Sequence, residues 1–87
     1  MNPMNLHTYS VWRDGYEDYD EADSRTVDSP KSAAVSVAEH DHAHRSGSEW
    51  DWPVTYIVED GDGNRWSIEV SRYIVPEFEA GEPRKMP

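Results

Sequence analysis

Three short stretches of this sequence concentrate the side-chain types that commonly do chemistry. The densest is YEDYDEAD, Tyr16 to Asp23, which holds five carboxylates and two tyrosines in eight residues with no basic side chain among them. Paired carboxylates act as general acid and base where burial or a partner drives their pKa values apart. A run this polar offers neither, so Glu17, Asp18, Asp20, Glu21 and Asp23 are not expected to be catalytic. The chain has no Gly-rich phosphate loop and no arguable Ser-His-Asp spacing, and it is read as a protein other than an enzyme, with no cofactor.

The second stretch, HDHAH, places His40, His42 and His44 within five residues. On a helix, His40 and His44 fall one turn apart on the same face, where they are the candidate ligands for a divalent metal, while His42 points elsewhere. A pair is an incomplete site. Histidines also suit the last turn of a helix, where partial positive charge meets the negative end of the dipole, so the residues need no metal. The third stretch, DGDGN from Asp60 to Asn64, begins like a calcium loop with oxygen donors at alternate positions. The match then fails, because Arg65 stands where glycine is required and Ser71 where a bidentate Glu is required. The same residues make a hairpin turn, which is the reading adopted here.

These residues must be held by a small scaffold. A chain of 87 residues is one domain (1–87), of a size at which a single core leaves a few kcal/mol of net stability. Four Trp, five Tyr and several Val/Ile clusters supply enough bulk for a core despite the 30% of charged residues. There is no cysteine, which rules out a disulfide framework or a cysteine-based zinc site and fits a cytoplasmic setting. Neither a signal peptide nor a transmembrane helix is expected.

Alternation of Tyr9 and Val11 against Trp12 predicts a strand over residues 6–13, ended by the Asp14-Gly15 turn signal. Residues 14–23 then form an acidic loop, and SRTVD, Ser24 to Asp28, is expected to pair back on the first strand. Ser29 is a good N-cap and Pro30 fits the first helical position, where its missing N–H is not needed. Ala33, Ala34, Val37 and Ala38 form a stripe of small residues suited to close packing on a sheet, and Gly47 is the expected stop. Trp52, Val54, Tyr56 and Val58, then Trp66, Ile68 and Val70, alternate on either side of the DGDGN loop and predict a hairpin. The alternation slips at Ser71-Arg72, where a bulge is expected. Residues 1–5 and 80–87 are expected to fray.

The fold class is therefore α+β: a small antiparallel or mixed sheet of three to four strands with one helix on one face, in the order β-β-α-β-β. The other sheet face is expected to be partly exposed, with Trp12, Ile57 or Tyr73 as an aromatic patch through which the chain would self-associate, for instance as a homodimer.

Eighteen acidic against eight basic residues give a net charge of −10, which repels nucleic acid and anionic membranes and attracts basic protein surfaces. Carboxylates spaced roughly like phosphates and interleaved with Tyr16 and Tyr19 are suited to an arginine-lined groove, through charge-assisted pairs and ring stacking on guanidinium. In size, absence of cysteine, the helix-opening SPKSAA and the terminal hairpin VTYIVEDGDGNRWSIEV, the chain resembles small acidic proteins of bacteriophages and prophages, among them anti-CRISPR and anti-restriction inhibitors. That resemblance implies a stoichiometric inhibitor of a host nuclease or surveillance complex, working in the bacterial cytoplasm. From the charge argument, Tyr16, Glu17, Asp18, Tyr19, Asp20, Glu21 and Asp23 are the expected partner-binding residues. The alternatives are a housekeeping domain that self-associates through its exposed sheet face, and a metal-binding module built on His40 and His44.

Overall fold

The computed structural model describes residues 6–44, 50, 52–72 and 78–86. Its strands and helix follow one another as β1 (His7–Arg13), β2 (Asp23–Val27), α1 (Pro30–His44), β3 (Val54–Glu59), β4 (Arg65–Arg72), β5 (Phe78–Ala80) and β6 (Arg84–Lys85). All the strand pairings are antiparallel, in the spatial order β2-β1-β3-β4-β5, with β6 also pairing with β4. The fold is thus α+β, with more strands than the sequence pattern implies.

Helix α1 starts where its signals lie. The Ser29 hydroxyl accepts a hydrogen bond from the Ser32 amide at 3.1 Å, and the Ser29 carbonyl accepts one from the Ala33 amide at 3.1 Å. The helix carries the chain from edge strand β2 to β3, on the far side of β1. Ala33, Ala34, Val37 and Ala38 are buried, and their small side chains let the helix lie close over the sheet. Strand residues of one parity meet them: Tyr9 and Val11 of β1, Val54, Tyr56 and Val58 of β3, and Ile68 and Val70 of β4 form one cluster with the helix stripe. The register explains the grouping, since Val58 lies opposite both Val11 and Trp66, and Tyr56 opposite Ile68.

The β3–β4 connection is a hairpin turn. Asp60 Oδ1 accepts from the amides of Asp62 and Asn64, each at 2.9 Å, and Asp60 Oδ2 accepts from the Asn64 side-chain amide at 3.1 Å. Gly63 takes the positive φ of 87° that the turn requires. Desolvation pushes the Asp60 carboxyl up, but hydrogen bonds from Asn64 and Asp62 and the charge of Lys85 together hold it below its ordinary value.

Three expectations are corrected. The tail does not fray from residue 80: Ala80 is buried in β5, Arg84 and Lys85 pair with Ser67 and Trp66, and the Met86 amide donates to the Arg65 carbonyl at 2.9 Å. Gly81 and Pro83 mark a bend along a sheet edge, with the Gly81 amide donating to the Glu69 carbonyl at 2.7 Å. No bulge falls at Ser71-Arg72, because Val70, Ser71 and Arg72 pair in unbroken register with Ala80, Glu79 and Phe78. Trp12 and Ile57 do not form an exposed patch. They are cross-strand neighbours on the face away from the helix, yet only 6% and 4% exposed. Tyr73, Gly47 and residues 1–5 lie outside the described residues.

The outer face is otherwise polar. By strand parity it presents Thr8, Ser10, Ser24, Thr26, Thr55 and Ser67, and the Thr8 and Thr26 hydroxyls are 2.9 Å apart across the β1–β2 pair. Among the described residues, no helix is long and apolar enough to cross a membrane.

Candidate functional site

The acidic segment is built on the end of β1. Its chain turns at Asp14-Gly15, with Gly15 at φ 82°, and the Tyr16 and Glu17 amides donate back to the Arg13 carbonyl at 3.2 and 3.0 Å. The Asp14 amide donates to the Thr55 carbonyl at 2.9 Å, tying the turn to β3. Two of the carboxylates then serve the backbone. Glu17 Oε1 accepts from the Arg13 amide at 2.9 Å, and Asp18 Oδ1 accepts from the Asp20 amide at 3.2 Å, capping a short 3₁₀ turn over Tyr19–Glu21.

This local order decides where the side chains go. Asp18, Asp20 and Glu21 are exposed, and Glu17 is half-buried. Asp23 belongs to β2, where it is half-buried opposite Val11. Among the described residues, Tyr16 at 75% and Tyr19 at 52% are the aromatic side chains that stand exposed, and both lie in this segment.

The two tyrosines occupy opposite sides of the sheet. Tyr19 packs edge-on against Trp12, with centroids 5.8 Å apart, on the outer face, while the Arg65 guanidinium lies 5.2 Å from the Trp12 ring. The segment therefore helps cover the apolar island that Trp12 and Ile57 would otherwise expose. Tyr16 instead meets Arg13, which shares its parity with Tyr9 and Val11 and belongs to the helix side. The Arg13 guanidinium sits between two rings, 4.3 Å from the Tyr16 centroid and 3.7 Å from that of Trp50. Trp50 in turn stacks on Trp52 at 6.1 Å. The result is a continuous stack of Tyr16, Arg13, Trp50 and Trp52, in which Arg13 Nε is buried with no hydrogen-bond partner. Sequence reasoning missed this stack. The one local signal was WRDGY, which puts Arg13 and Tyr16 three residues apart across a turn.

Beneath the stack, the Tyr56 hydroxyl donates to Asp41 Oδ2 at 2.8 Å, with both residues at most 1% exposed. Burial, and then the charge and hydrogen bonding of Asp41, push the Tyr56 phenol far above its ordinary value, against the opposing pull of Arg13. Asp41, which stands between His40 and His42 in HDHAH, is a buried acceptor that ties the end of α1 to β3.

Not all of the acidic groups gather around this segment. Asp28, Asp60 and Asp62 lie at the opposite end, beyond the start of β1, where the charges of Asp60 and Asp28 add to desolvation in raising the Tyr9 phenol. Glu49 and Asp51 lie outside the described residues. His40 and His44 do come together, with ring centroids 4.8 Å apart, but no group of three or more possible metal donors occurs among the described residues. No protein-family model matches the chain, and neither a curated protein nor a solved structure is detectably similar to it.

Proposed function

We propose that the chain is a non-enzymatic inhibitor that docks into a basic, nucleic-acid-binding cleft of another protein, in the manner of anti-CRISPR and anti-restriction proteins. The observation that carries this reading is the coincidence of the exposed aromatic rings with the acidic segment. Tyr16 and Tyr19 flank the exposed carboxylate of Asp18, and Asp20 and Glu21 follow on the same turn. Tyrosine and arginine dominate the energetics of protein interfaces, and carboxylates pair with the Arg and Lys side chains that line nucleic-acid grooves. Because the rings lie on opposite sides of the sheet end, the surface is a ridge, which fits a cleft better than a flat face.

The net charge of −10 steers such an encounter and makes it sensitive to salt. The carboxylates of the segment differ in what else they hold. Glu17 and Asp18 hold the backbone, so Asp20 and Glu21 are the charges whose removal leaves the fold intact.

The test is a low-salt pull-down from a bacterial lysate with mass-spectrometric identification, comparing wild type with D20N/E21Q and with the full set E17Q/D18N/D20N/E21Q/D23N. The expected result is capture of a nucleic-acid-binding protein whose nucleic acid competes with this chain. Its affinity should fall at least about tenfold from low to physiological salt, and again in the variants. A partner held equally well in high salt, or equally well by the fivefold variant, would refute acidic occlusion.

A further inference from the structure

We infer that His40 and His44 are one half of a divalent transition-metal site that a second copy of the chain completes. Two imidazoles chelating one zinc ion at 2.0–2.1 Å with a tetrahedral angle have ring centroids about 5 Å apart. The rings of His40 and His44 already stand 4.8 Å apart, tilted by 40° rather than stacked face to face. The helix fixes this spacing, since residues four apart share one face. His44 is exposed and His40 half-buried, so the pair opens outward from the surface.

Electrostatics favour a cation at this place. The last carbonyls of α1 carry the negative end of the helix dipole, and the chain as a whole stands at −10. Imidazole donors suit zinc, nickel and copper over calcium or magnesium, which take oxygen ligands. Two donors fill half of a tetrahedral shell, and no third donor joins them among the described residues. A two-fold-related copy supplies the same pair by symmetry, giving four imidazoles around one ion. Repulsion between two acidic chains is screened beyond about 8 Å at physiological salt, and the ion offsets it at the contact. This inference is independent of the inhibitor reading.

The test is calorimetric titration of the untagged 87-residue chain with zinc chloride and nickel chloride, with sedimentation velocity run on the same samples. The expected result is half an ion bound per chain and a doubling of mass that EDTA reverses. H40A and H44A should bind roughly 100-fold more weakly and stay monomeric, because the second imidazole no longer engages intramolecularly. H7A, at the far end of the sheet, should behave as wild type. Absence of binding would overturn the proposal, as would binding retained by H44A or one ion per chain without a change in mass. His44 is exposed, so H44A decides the matter even if H40A folds poorly.

Discussion

Replacing Tyr56 with Phe tests the buried link between α1 and β3, because the hydroxyl has two effects of opposite sign on stability and only one of them depends on pH. At pH 7 the variant loses a hydrogen bond of 2.8 Å to a buried carboxylate, with no solvent to replace the donor. Hydrogen bonds to charged groups contribute about 1.5–3 kcal/mol, so Y56F should be about 2 kcal/mol less stable. In alkali the comparison shifts. The folded phenol is raised by burial and by Asp41, so its contribution is fully present below the unfolded value near 10 and is lost as pH rises above it. At pH 11 the unfolded wild type gains about 1.4 kcal/mol from ionising that tyrosine, and the Phe variant gains nothing. The deficit of Y56F should therefore shrink from about 2 to about 0.6 kcal/mol between pH 7 and pH 11. Tyr9, also raised, is present in both proteins and cancels. Urea unfolding followed by far-ultraviolet circular dichroism at both pH values measures the two deficits. Equal deficits, or none at pH 7, would refute the account of this pair.

Two further substitutions probe how the ends of the elements are held. Y19A removes the ring lying edge-on against Trp12 and should cost about 1 kcal/mol while shifting tryptophan emission to the red, whereas Y19F should leave both nearly unchanged. S29A deletes the acceptor for the Ser32 amide at the start of α1 and should lower stability by about 1 kcal/mol in urea, with S29D restoring most of it.

The legible parts of this fold were those where one strong local pattern coincided with burial. Ser29-Pro30 and the small-residue stripe marked α1, and Val54, Tyr56 and Val58 against Trp66, Ile68 and Val70 marked the hairpin and its inner face. The tail misled because glycine and proline read alike at a frayed end and at a bend in an edge strand, and only the pairing of Arg84 and Lys85 with β4 separates the two. Trp12 and Ile57 misled for a related reason. Alternation assigns them correctly to the outer face, but it carries no information about the following segment, with Tyr19, folding back over that face. The same blindness hid the stack at the sheet end, since Arg13 and Trp50 are far apart in sequence. Nothing local in the sequence marks Asp41 as buried, because its partner, Tyr56, arrives from another element.

The order within YEDYDEAD bears directly on what it would bind. A mobile loop loses about 1–2 kcal/mol of conformational freedom per residue fixed on docking, which readily cancels the gain from a few ion pairs. Here the Gly15 turn, the Glu17 and Asp18 acceptors and the contact of Tyr19 with Trp12 already fix the chain when the domain folds. The same contacts turn Tyr16 and Tyr19 to opposite sides of the sheet end, so a flat basic surface meets one ring at most. A cleft with a guanidinium on each wall meets both, with Asp20 and Glu21 between charged neighbours. Shape thus separates mimicry from plain solvation more sharply than charge does. A flat cationic partner reads this segment as it would any polyanion, whereas a nucleic-acid cleft distinguishes the two tyrosines from the carboxylates around them.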